Sequence, residues 1–178
     1  MKFFIFVLTT SFLATSVRTI FLSKINPDSL CKQWFKNEPD PTPIINALPP
    51  CWTQIPLTED KYFPNKFGSF KIDSSCNPHR PTNCYILHRG AKTCYRSIEN
   101  FNGAGQQCCY SDGGILLVGF PGGGTLDLAH SDDAIKHFKI DVYPYFLCCK
   151  LSNNCNLYYE KRPSDDGSRW QENFYKTF

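Results

Sequence analysis

The apolar positions along this chain keep no single period. In "PDSLCKQWFKNEP", Leu30, Trp34 and Phe35 recur at i, i+4 and i+5 behind Asp28 or Ser29 as an N-cap, and Pro39 closes the run. That pattern predicts a short helix. The middle of the chain reads as strand: "NCYILHRGAKTCYRSI" holds two short runs about a turn near Arg89-Gly90, and "QQCCY", "SDGG" and "ILLVGF" spell a hairpin whose tip is Ser111 to Gly114. Beyond "GGGT" the spacing changes again. Ile135, Phe138, Val142 and Tyr145 fall three or four apart behind Ser131 or Asp132, which predicts a helix that ends or kinks at Pro144. A last short helix is expected over "NCNLYYEKRP". Together these elements predict an α+β fold, a small domain with short central β-hairpins and flanking short helices.

The ends of the chain modify this picture. Lys2 precedes an apolar run from Phe3 to Ala14, and Ala14 and Ser16 stand at the −3 and −1 positions of a signal-peptidase site. Residues 1–16 therefore read as a secretory leader, with 17–178 as the mature, secreted chain. A membrane span takes roughly 20 apolar residues, and the run from Ile115 to Phe120 is far shorter, so membrane insertion is not expected. The tail "WQENFYKTF" carries Trp170, Phe174, Tyr175 and Phe178, which either pack back or bind something.

Export sets the meaning of the cysteines. Ten are present: Cys31, Cys51, Cys76, Cys84, Cys94, Cys108, Cys109, Cys148, Cys149 and Cys155. Outside the cell an even set of thiols reads as disulfides, and no C-x-x-C pair signals zinc, so five structural bridges are expected. Neighbouring Cα atoms lie about 3.8 Å apart, below the usual disulfide range, so Cys108 and Cys109 must each bond elsewhere. On a strand they leave on opposite faces, and one segment ties two layers together. Cys148 and Cys149 repeat the device. The proline-rich "NEPDPTPIINALPP" joins Cys31 to Cys51 and reads as a stapled loop rather than a domain boundary.

Charge and motifs narrow the function. A formal net charge of +3 on 178 residues is too small to imply nucleic acid or an anionic membrane as partner. No G-x-S-x-G elbow, Walker loop, H-E-x-x-H or EF-hand loop occurs, none of His79, His88, His130 and His137 is followed by Asp, and no cofactor is called for. The best cluster for metal is "DLAHSDDAIKH", where Asp127, His130, Asp132, Asp133 and His137 crowd together. The plainer reading makes these Asp residues helix-capping groups and leaves the His residues facing solvent. "GFPGGGT" reads as a tight turn rather than an anion cradle. Lys161 and Arg162 in "YYEKRP" read as complements to a helix end, with a partner surface as the other possibility.

The strings "CYILHRGAKTCYRSIENFNGAGQQCCYSDGGILL", "GGGTLD", "YFLCCKLSNNC" and "YYEKRPSDD" closely resemble the AMOP domain, an adhesion-associated module of a membrane mucin, sushi-domain membrane proteins and isthmin-like secreted proteins. The resemblance runs from about Cys31 to Asp166, and its most specific part is G-A-G-Q-Q-C-C-Y with C-Y-R-S upstream. Two departures stand out. Many relatives have C-P-C-T where this chain has "CWTQ", so a cysteine near Thr53 is missing, and another that follows P-S-N-D is replaced by Gly167. The resemblance implies that those two positions are bonded to each other in the relatives and that this chain dispenses with the bridge. In mucin-type relatives a von Willebrand D segment follows, whereas this chain reads as a free-standing AMOP-like domain.

The resemblance implies a secreted protein-binding module of cell adhesion or the extracellular matrix, partnered by a matrix or cell-surface protein and not an enzyme. The alternative is a small secreted hydrolase or metal-dependent effector using the cluster from Asp127 to His137.

Overall fold

The computed structural model describes residues 26–55, 66–67, 69–98 and 100–169, so the leader at 1–16 and the tail beyond 169 lie outside the described residues. The architecture is α+β, a small antiparallel sheet with helices packed about it.

The first helix, α1 (Pro27–Asn37), is capped by the side chain of Asn26, which accepts from the Asp28 N–H. Asp28 and Ser29 were the expected caps. Pro27, which has no N–H to leave unsatisfied, fits the first turn and draws the boundary forward. A second short helix, α2 (Thr42–Ala47), forms inside the proline-rich stretch that reads as loop, started by Asp40, which accepts from both the backbone and the hydroxyl of Thr42.

Among the described residues six strands follow: β1 (Lys66–Phe67), β2 (Phe70–Ile72), β3 (Thr93–Ser97), β4 (Gly105–Tyr110), β5 (Leu116–Leu117) and β6 (Leu126–Asp127). They run in the order β1-β2-β3-β4-β5, all antiparallel, and β6 pairs with the start of β4 through Gly105↔Asp127 and Gln106↔Leu126. Every residue of β3 and β4 is buried. The predicted hairpin is present, with the Ser111 N–H donating to Ile115 and Leu116 opposite Tyr110. One predicted strand is not. "NCYIL" lies in α3 (Pro81–Leu87), because Pro81 starts a helical turn and the Cys76–Cys84 bridge holds the segment against Cys94 and Cys109 of the interior strands β3 and β4.

The ten cysteines form five bridges: Cys31–Cys148, Cys51–Cys108, Cys76–Cys84, Cys94–Cys109 and Cys149–Cys155. Cys94 and Cys109 are register partners on β3 and β4, so their bridge crosses one rung of the ladder. Cys108 leaves the other face to reach Cys51 and joins the cluster of Ile55, Phe70, Tyr95 and Tyr110. Neighbouring residues of β4 thus brace opposite faces of the sheet.

A helical run over residues 134–150, here α4, starts at Asp133, whose side chain accepts from the Lys136 N–H, one or two residues after the expected caps. It does not end at Pro144. Ala134–His137 is α-helical, Phe138–Val142 widens into π turns, Tyr143–Tyr145 returns to α, and Phe146–Lys150 widens again. Proline costs a helix a donor to the carbonyl four residues back, here that of Ile140. That carbonyl instead accepts from Arg162 Nη2 at 3.0 Å, and the helix passes on. The last helix, α5 (Cys155–Lys161), packs with α1 and α4 around Cys31, Tyr145, Cys148 and Tyr158. Between β5 and β6 the chain passes through three consecutive glycines, Gly122 to Gly124, of which Gly124 lies too close to the Gln107 backbone to carry a Cβ.

Candidate functional site

Charged side chains meet where the sheet faces α4 and α5. Arg96 and Gln107 are cross-strand partners on β3 and β4, and both reach Asp73 Oδ2, from Arg96 Nε at 2.7 Å and from Gln107 Nε2 at 2.8 Å. The same guanidinium bonds Asp127 of β6 through Nη1. On the helical side Arg162, fully buried, donates from Nε to Asp141 Oδ1 at 2.7 Å and from Nη2 to Glu38 at 2.6 Å. Asp141 also accepts from the backbone N–H groups of Leu128 and Ala129, both at 3.0 Å. His137 stands between the two networks, with Nδ1 2.9 Å from the Ala129 carbonyl and 3.3 Å from Asp141 Oδ2.

Burial opposes every charge here, and the partners decide the outcome. Against burial, Arg96 together with the Ser75 and Gln107 bonds holds the Asp73 carboxyl below the usual carboxylate range. Burial likewise opposes Asp141, but the His137 bond and Arg162 hold it low. For Asp127 burial prevails, helped by the charges of Asp141 and Asp73, and its carboxyl is raised despite Arg96. The His137 imidazole, disfavoured as a cation by burial, is raised by its bond to Asp141 and by Asp127. His88 lies close by with Nδ1 3.0 Å from the Gly123 carbonyl, so this nitrogen carries the proton; burial, which disfavours the cation, pushes its pKa down to about 4.

A cavity of about 30 Å³ lies among Arg96, Asp127, His137, Asp141 and Tyr158. Outside it runs an open groove of about 590 Å³ with Lys71, Ile72, Asp132 and Phe138 on its walls. Leu87, Arg96, His137 and Val142 line both.

The family model of the AMOP domain matches residues 26–171. The chain belongs to the AMOP family. As an AMOP domain it is 30% identical over 151 residues to sushi domain-containing protein 2 of Homo sapiens, a match covering 76% of this chain and 18% of that protein. To protein mesh of Bombyx mori it is 24% identical over 163 residues, covering 81% of this chain and 10% of that one. No solved structure matches it significantly. The AMOP domain occurs in adhesion-type extracellular proteins, and all ten cysteines fall inside the matched span.

The AMOP fold scatters the residues that sequence grouped at 127–137. Asp127 and His137 turn inward together. His130 is buried elsewhere, its Nε2 donating to the Ser97 carbonyl at 3.1 Å with the ring against Gly105, where a Cβ would meet it at 2.7 Å. Asp132 stays on the surface, 3.7 Å from Lys71 and with Oδ2 3.1 Å from His130 Nδ1, so these two members of the cluster do meet, and Asp133 caps α4. The expectation of solvent-facing histidines therefore fails for both. Each is drawn in by a backbone carbonyl that needs a donor, Ser97 for one and Ala129 for the other. The partner-surface reading of Arg162 is also corrected, since its side chain is 0% exposed. Sequence reading missed Asp73, Arg96 and Asp141. Asp141 left a trace: it sits four residues after His137 within the apolar stripe, where a solvated charge has no place.

Thr53 and Gly167, the two positions that depart from relatives, are neighbours. A Cβ built on Gly167 lies 2.6 Å from Thr53 Cγ2.

Proposed function

We propose that residues 17–178 form a secreted, disulfide-stapled binding module that docks on a matrix or cell-surface protein during cell adhesion, the leader at 1–16 directing export. The carrying observation is the apolar stripe of α4. Tyr145 is buried as a core residue should be, yet Ile135 and Phe138 on the same stripe are 72% and 53% exposed, and Phe138 lines the open groove. Large apolar side chains held out on a braced helix are the anchors expected of a protein interface. The family supports the extracellular setting, and among the described residues no helix is long and apolar enough to cross a membrane.

The test is binding of labelled, oxidised protein to cultured cells and to deposited matrix. Saturable binding that is lost with Ile135→Asp or Phe138→Asp, both variants keeping five bridges and the parent circular dichroism, supports the reading. Absence of saturable binding to either surface, or binding indifferent to both substitutions, defeats it.

A further inference from the structure

Acids outnumber guanidinium groups in the interior of this protein. Asp73, Asp127 and Asp141 are buried against two guanidinium groups, Arg96 and Arg162, and Glu38 adds a fourth carboxylate at the rim. The two guanidinium groups leave the three buried acids one negative charge in excess, which either a protonated His137 or a bound cation balances. An uncompensated charge is costly in a low-dielectric interior, and folds that keep one pair it or coordinate a metal.

We propose that Asp127, His137 and Asp141 form a binding site for one divalent transition-metal ion of the zinc class. Four features of the geometry agree. One carboxylate oxygen from each Asp and one ring nitrogen of His137 lie within 4.8 Å of one another, close enough that a small contraction brings all three to the roughly 2.0–2.2 Å ligand distances of zinc. His137 Nδ1 donates to the Ala129 carbonyl at 2.9 Å, a bond that orients the imidazole and leaves Nε2 as the nitrogen able to ligate. The cavity of about 30 Å³ is bordered by these same three residues and has room for a water as fourth ligand. The supporting shell is in place: Arg96 orients Asp127, while Arg162 and the N–H groups of Leu128 and Ala129 orient Asp141.

An imidazole with two carboxylates suits zinc better than calcium, which takes six to eight oxygens. The second close group of this kind, His88 with Cys94 and Cys109, offers no such site, because the two sulfurs are bonded to each other. The partner-binding proposal is independent of this one, since its anchors Ile135 and Phe138 are not ligands.

The experiment uses full-length secreted protein, stripped with a chelator and kept oxidised, titrated with Zn²⁺ and separately with Ca²⁺ by calorimetry. One Zn²⁺ per chain is expected, with Ca²⁺ bound at least about a hundredfold more weakly, and Asp127→Asn and His137→Gln should each weaken Zn²⁺ at least about tenfold. Should either variant fail to fold, Co²⁺ added to the native protein decides: a visible d–d spectrum without thiolate charge transfer, together with a perturbed His137 ring ¹⁵N signal, supports the site. No stoichiometric zinc, zinc binding unchanged in folded variants, or an unperturbed His137 signal would overturn it.

Discussion

The substitution His88→Asn isolates one buried imidazole and measures what its neutrality contributes. The folded protein holds His88 at about 4, whereas an exposed histidine protonates near 6.5. Above 6.5 both states are neutral at this position and it adds no pH dependence. As pH falls below 6.5 the unfolded chain takes up a proton that the folded chain refuses, so stability drains away until the folded ring itself protonates near 4. The gap of about 2.5 on the pH scale, at about 1.36 kcal/mol for each, gives a loss of about 3 kcal/mol across that window. Asp127, whose carboxyl is raised by burial, works in the opposite direction over part of the same range. The asparagine variant keeps a donor for the Gly123 carbonyl but cannot titrate, so subtracting the variant from the parent removes the Asp127 contribution and leaves that of His88. Denaturant unfolding, followed by Trp and Tyr fluorescence with bridges intact, should be run at several pH values from about 7.5 to 4. The parent should lose about 3 kcal/mol relative to the variant between the two ends. A difference that stays flat to within about 1 kcal/mol would refute the assignment of a buried, neutral ring.

Two further outcomes follow from packing. Arg162→Met leaves Asp141 buried without its guanidinium and strands the Ile140 carbonyl, so the variant should be less stable by roughly 3–5 kcal/mol, read as a lowered midpoint in denaturant and a smaller secreted yield. Thr53→Cys combined with Gly167→Cys should form a sixth bridge, visible as the loss of two hydrogens in the intact mass and a 53–167 crosslinked peptide. Two free thiols in the oxidised double variant would show that these neighbours cannot be joined.

What was legible in sequence is what local chemistry decides. The hairpin at Ser111 to Gly114 and the opposed exits of Cys108 and Cys109 follow from turn residues and side-chain alternation, and the short helix expected over "NCNLYYEKRP" is present at Cys155–Lys161. The failures share a cause as well. "NCYIL" has β-like composition but is tied down as α3 by Pro81 and by a bridge formed with Cys76, and Pro144 fails to stop α4 because a guanidinium eighteen positions later takes up the stranded carbonyl. Both are tertiary rescues of a local preference. The candidate site mixes the two cases. Asp127 and His137 were visible as a cluster, but their companions come from positions 73, 96 and 162, which only the sheet register and the approach of α5 bring near.

The bridge from Cys31 to Cys148 spans a sequence separation of 117 and encloses the Cys51–Cys108, Cys76–Cys84 and Cys94–Cys109 bridges, while Cys149–Cys155 begins at the very next residue. Tension arriving from either side of this stretch therefore crosses from position 31 to 148 through sulfur, then skips from 149 to 155 the same way. The sheet and the groove sit inside a covalent bypass and are spared the load. A module gripped at both flanks can be pulled hard without its binding face being drawn out of shape.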